Sequence, residues 1–222
     1  APETKDNDFT WSDFQARNNN ELVAIFGNFI NRVVVLTNKY YEGIIPEPAS
    51  LSEVDIATLT QLKAYPSVIE SSIERYRFRE AQAELMNVAR LGNKYLADEE
   101  PWKKIKMDEE RTKTIMFVSL QIASALAVLC EPFLPFTSSK LKNMLCLNEE
   151  QNNEESLQWK DVSTKETLIP SGHKIGKGEL LFSKIEDEQV QQQLDKLEAT
   201  KKANKVMNAN PEPKKETIQF DD

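Results

Sequence analysis

The stretch SDFQARNNNELVAIFGNFINRVVVLTNKYY, residues 12–41, decides the fold class. Leu22, Ile25, Phe26, Phe29, Val33, Leu36 and Tyr40 recur at steps of three and four, which gathers apolar side chains on one face of an α-helix. Ser12 is a candidate N-cap, and Gly43 and Pro46 stop the pattern, so the spacing predicts one helix over 12–41.

The same signals repeat outward from it. Ser52 is read as the cap of a helix over 52–73, with Pro66 as a kink or break. A third helix over 74–98 carries Leu85, Val88, Ala89, Gly92 and Leu96 on one face and is closed by Pro101. Residues 108–130 begin with acidic side chains that suit a helix N-terminus, and Pro132 and Pro135 end that segment. A further helix follows over 137–147. Beyond Leu147 the character changes: 148–156 reads as an acidic loop, little periodicity is left up to 183, and a last amphipathic helix covers 186–200. Residues 201–215, charged and proline-containing, read as a linker. These signs give an all-α antiparallel helix bundle with a less regular C-terminal extension, including a short extended piece within 157–182.

Composition agrees. With 222 residues, 40% of them hydrophobic, the chain can build a sizeable core, and only 6 glycines argue for long helices. The net charge of −8 argues against general adhesion to nucleic acid, so any RNA contact must be local. Cys130 and Cys146 are read as small buried hydrophobes in a reducing cytosol, and a single histidine, His173, argues against a zinc site. No secretory leader is read at Ala1. The run from Ile115 to Cys130, broken by Ser119, Gln121 and Ser124, is shorter than the roughly 20 residues a membrane span needs. It reads as a buried central helix, and the chain as cytoplasmic.

No glycine-rich phosphate loop, nucleophile elbow or His-Glu-x-x-His string is present. The string Lys174-Ile175-Gly176-Lys177-Gly178 could hold phosphates, but it reads as a turn made by two glycines with solvated lysines. No catalytic residue and no metal ligand is assigned. Two features could read RNA. Asn28 and Arg32 lie about 40° apart on one flank of the first helix, where an amide and a guanidinium can meet one base edge. The alternative is a solvated flank with Arg32 paired to a carboxylate. Trp102, just after the break at Pro101 and beside Lys103, Lys104 and Lys106, is either a base-stacking platform with phosphate partners or a plug between helices. Asn93 and Tyr95 are read as supports of that junction.

Several strings resemble one family. Asp8-Phe9-Thr10-Trp11, Asp13-Phe14, Arg17 through Leu22, and Gly27 through Arg32 look like the start of the anticodon-binding domain of methionyl-tRNA synthetases. Gly92-Asn93-Lys94-Tyr95-Leu96 with Glu100-Pro101-Trp102 is similar to the family's second motif. Gly172-His173 and Leu181 through Glu186 resemble the tail and closing helix of the same domain.

The resemblance implies a helical bundle of a class I aminoacyl-tRNA synthetase that recognises the CAU anticodon. Asn28 and Arg32 would bond the first anticodon base, Trp102 would stack on the anticodon, and Pro101 would shape the turn. It further implies a connection from a catalytic domain over 1–11 and the helical bundle over 12–147. The irregular segment and closing helix would be 148–200, and a linker toward an OB-fold tRNA-binding appendage 201–222. Partners would be the initiator and elongator methionine tRNAs and the chain's own catalytic domain, with no membrane. Such a piece needs no cofactor; ATP would serve the full-length ligase. The rival readings are a structural or protein-interaction bundle, and the anticodon domain of another class I synthetase.

Overall fold

The computed structural model describes residues 8–147 and 156–209. Most of the expected connection at 1–11, the loop at 148–155 and the end of the expected linker at 210–222 lie outside the described residues.

The first helical rod has three parts: α1 (Trp11–Arg17), a π-helical stretch (Asn18–Gly27) and α2 (Asn28–Tyr41). Its cap is Thr10 rather than Ser12: the Thr10 hydroxyl accepts from the Asp13 amide at 3.2 Å. At the start of the rod Phe9, Trp11 and Phe14 cluster, with Phe9 and Phe14 exposed. Glu42, in the left-handed region, and Gly43 end α2 as expected.

Next come α3 (Glu53–Glu74), α4 (Phe78–Glu99), a single turn α5 (Pro101–Lys104), the central α6 (Glu109–Leu129) and α7 (Pro135–Met144). Ser52 caps α3 in a full capping box with Asp55. Pro66 does not break α3. Leu62 and Ile69 on either side of it are buried, and α3 packs on both α4 and α6. That packing outweighs the one backbone bond the proline removes. The break expected at 73–74 falls at 75–77, where Tyr76 takes a positive φ of 59°. Pro135 opens α7 at its first position instead of ending the preceding segment, a site where its missing N–H costs nothing.

By length and composition helix α6 is long and apolar enough to cross a membrane, yet 94% of its most apolar window is packed inside the bundle. Cys130 at its end is buried, whereas Cys146 is half-buried and held at φ 54°. Where α4 crosses α2, Gly92 faces Phe29 so closely that a Cβ there would lie 2.4 Å from the ring. The missing side chain is what lets the two helices meet.

After the short α8 (Asp161–Thr164) the chain becomes a strap that runs back over the bundle. Gln121 of α6, buried, holds it: its amide nitrogen donates to Ile169 O at 2.9 Å and its oxygen accepts from Leu168 N at 2.7 Å. The strap then lies beside residues 43–45, with an isolated antiparallel bridge between Ile44 and Lys174. This is the extended piece expected within 157–182. Phe182 meets Phe26 edge to face, and the side chains of Asn18 and Asn19 bond the backbone of Ser183 and Ile185. The last helix, α9 (Asp187–Ala209), continues past the expected end at 200 into the region read as linker.

The string 174–178 is not the two-glycine turn read from the sequence. The turn glycine is Gly172, with φ 80°. Gly176 and Gly178 instead allow close approach, since a Cβ would sit 3.3 Å from Met144 O or from Val34 Cγ1.

The end of the bundle where α4 stops is fastened by a buried polar network. Fully buried Asp55 accepts from the Tyr95 hydroxyl at 2.5 Å and from both terminal nitrogens of Arg111. Arg111 also pairs with Glu99 at 2.9 Å, and Glu99 with Lys104 at 2.7 Å. Burial alone would raise the Asp55 pKa, but hydrogen bonds from Arg111, Tyr95 and Ser52 outweigh it and hold the carboxyl at about 2, against an ordinary 3.8. Because the folded value is depressed, the stabilisation is complete above about pH 4 and is lost as pH falls toward 2, on the order of 2 kcal/mol. The urea midpoint is therefore expected to fall across that window, and to fall less steeply in Asp55→Asn. An equal pH slope in the variant would assign the acid sensitivity to other carboxylates.

Candidate nucleic-acid interface

Glu100, at φ 45° and ψ 57°, turns the chain sharply at the end of α4, and Pro101 follows as the first residue of α5. Pro101 is buried, so it shapes the knuckle without facing solvent. Trp102 is half-buried and packed against the core. Across from it the Arg32 guanidinium carbon lies 4.6 Å from the centre of the Trp102 ring. Arg32 makes no ion pair among the described residues, so the alternative of a carboxylate partner is not what is seen.

Asn28 is exposed one turn before Arg32, and its amide nitrogen donates to Asn93 Oδ1 at 3.2 Å. Asn93 in turn donates its own amide nitrogen to Ile25 O at 2.8 Å and Ala89 O at 3.1 Å. With both donors spent on backbone, Asn93 can only offer its oxygen, which obliges Asn28 to turn its nitrogen inward and its oxygen outward. The four residues singled out from the sequence thus converge: Asn28, Arg32 and Trp102 border one open face, and Pro101 sets the turn beneath it.

The lysines beside Trp102 do not match their expected part as a set. Lys103 is paired with Glu100 at 2.6 Å and Lys104 with Glu99, which leaves Lys106 exposed and without an ion pair among the described residues. Sequence reasoning placed Asn93 near the junction but missed how it orients Asn28, because that bond spans 65 positions of chain.

Residues 45–202 match the sequence model of the family described as the anticodon binding domain of methionyl tRNA ligase. The chain belongs to the methionyl-tRNA synthetase family. Residues 1–34 also match the family of class I tRNA synthetases of the methionine type, a match that runs through α1 and the π stretch into α2. Methionine–tRNA ligases of Flavobacterium psychrophilum and Christiangramia forsetii are each 71% identical over the whole chain, and that of Phocaeicola vulgatus 51%. The chain spans about a third of the length of these curated relatives: 32% in each case. Among solved structures, free Mycobacterium tuberculosis methionyl-tRNA synthetase superposes with a TM-score of 0.74 at 19% identity. That match covers 84% of this chain and 37% of the other, and it identifies the fold. Membership of this family answers one of the rival readings, the anticodon domain of another class I synthetase.

Proposed function

We propose that this chain is the part of a methionyl-tRNA synthetase that reads the CAU anticodon of methionine tRNAs, initiator and elongator alike. The observation that carries the reading is the stack of Arg32 on Trp102 beside Asn28, in an otherwise acidic chain, with the guanidinium free of any carboxylate among the described residues. Cytosine presents an amino donor next to two acceptors. The outward oxygen of Asn28 suits the donor, and the guanidinium of Arg32 suits the acceptors. The half-buried indole supplies a face for stacking.

In a full-length ligase of this family the contact is indirect in its effect. A matched anticodon holds the tRNA so that its acceptor end lies in a catalytic domain that uses ATP to join methionine to it. This chain contributes binding and selection, acts in the cytoplasm, and carries no catalytic group of its own.

The test is an RNA hairpin with a CAU loop compared with hairpins in which the first anticodon base is U, A or G. A base edge read through paired hydrogen bonds discriminates by roughly 1–3 kcal/mol, so at fixed salt CAU is expected to bind about 5- to 150-fold more tightly. Equal affinity for all four would overturn the reading.

A further inference from the structure

We infer that the RNA-binding surface continues from the Trp102 platform along α2 to a pair of lysines, Lys39 and Lys177, which clamp the ribose–phosphate backbone next to the anticodon. This rests on the anticodon reading above and extends it to residues with no part in base recognition.

A platform that engages bases must also face phosphates, and the chain's charge of −8 makes that costly without local cations. Of the lysines nearest Trp102, Lys103 and Lys104 are paired with Glu100 and Glu99, which leaves only Lys106 exposed and without an ion pair among the described residues. Along α2, however, Asn28, Arg32, Val35 and Lys39 fall at steps of four, three and four, within about 60° of arc. Asn28, Val35 and Lys39 are exposed and Arg32 half-buried, so this stripe faces outward.

The stripe has two borders. On one flank stand α4 and α5, with Phe29 against Gly92 and Arg32 against Trp102. On the other runs the strap, where Gly178 lies close over Val34 and Val35 and the Asn38 amide donates to Gly176 O at 3.1 Å. That last bond joins the residue before Lys39 to the residue before Lys177, which brings the two lysines to the same end of the stripe. Both are exposed, and neither has an ion pair among the described residues. Lys39 sits seven residues beyond Arg32, about 10 Å up the helix axis, a span that a short run of RNA backbone covers. The close approach of Gly178 to Val34 acquires a purpose here, because it seats the strap low against α2 while Val35 stays exposed.

The proposal is tested with the 222-residue chain, Lys39→Gln/Lys177→Gln, and a distant control, Lys160→Gln. Affinity is measured for the CAU hairpin and a hairpin with a changed first base, across a salt series. Each phosphate contact to single-stranded RNA contributes roughly 0.7 to the slope of log affinity on log salt, so losing two should flatten it by about 1.4 and weaken binding roughly ten- to thirtyfold near 0.1 M salt. The preference for CAU should persist, and Lys160→Gln should change neither slope nor preference. An unchanged slope in the double variant overturns the clamp while leaving the platform in place. A parallel drop with Lys160→Gln reduces the effect to overall charge and also overturns it. Loss of CAU preference in the unaltered chain overturns the platform instead, and no binding at low salt overturns both.

Discussion

In a full-length methionyl-tRNA synthetase carrying this chain as its matching third, Arg32→Ala is expected to cut tRNA charging by between about thirtyfold and several thousandfold. Methionine activation, followed as ATP–pyrophosphate exchange, should stay within twofold or so of the parent. The charging loss corresponds to roughly 2–5 kcal/mol, the usual cost of deleting one partner of a desolvated, hydrogen-bonded charge. Arg32 suits that description because the Trp102 ring covers one face of its guanidinium and no carboxylate competes for it among the described residues. A residue that touches only the anticodon should not alter a step between methionine and ATP. Arg32→Lys should recover only part of the loss, since an ammonium keeps the charge without the planar fork. Equal losses in charging and activation would mark a folding defect and remove Arg32 from the interface.

Trp102→Ala is expected to be nearly as damaging to RNA binding, and for two reasons that add. The stacking face itself is worth roughly 1–3 kcal/mol per base. The ring also holds the Arg32 guanidinium in place, an interaction of about 1–2 kcal/mol when partly desolvated. Together they predict about 2–5 kcal/mol in hairpin affinity. The stability cost should be smaller, near 2 kcal/mol, because the side chain is only half-buried, whereas a fully buried tryptophan costs about 3–5 kcal/mol on truncation. Trp102→Phe should keep part of the affinity and nearly all of the stability. A labelled hairpin gives the first quantity and a urea midpoint the second; Trp11 and Trp159 make intrinsic fluorescence unsuitable. If Trp102→Ala unfolds the chain while Trp102→Phe binds normally, the indole is a structural plug and the anticodon contact lies elsewhere.

The sequence was most informative where short-range chemistry rules. Ser52 capped α3 as read, and the acidic start of α6 took its place with Asp108 accepting from the Arg111 amide at 2.9 Å. The central helix was legible from its apolar run alone. Proline misled in both directions, since Pro66 is carried inside a well-packed helix and Pro135 starts one. The stripe read on the first helix was too narrow. Ile30, Val34 and Thr37 are also buried, and over Val34 the cover is the strap at Gly178, which periodicity alone could not show. The strap was the least legible element. It is held by Gln121, Asn18, Asn19 and Asn38 through bonds from side chain to distant backbone, and such bonds leave no local pattern. The candidate site shows the same division. Asn28 and Arg32 were found by their helical spacing and Trp102 by its knuckle, but the contact between Arg32 and Trp102 depends on how α2 and α4 cross at Gly92.

The π stretch between α1 and α2 bears on which changes the chain can tolerate over evolutionary time. Its bonds reach one residue further than those of an α-helix, so it behaves like a helix that has absorbed extra chain without breaking. Substitutions among residues 18–27 leave that count alone. Deletion of a single residue removes that surplus: the remaining residues can close into α geometry at about 100° per residue, which makes up most of the turn the lost residue supplied. The aromatic cluster on α1 and the stripe of Asn28 and Arg32 on α2 therefore keep their mutual orientation across a one-residue loss. A relative lacking one residue there should hold both faces in place as a plain α-helix, whereas a second deletion would turn one side of the rod by about 100° against the other.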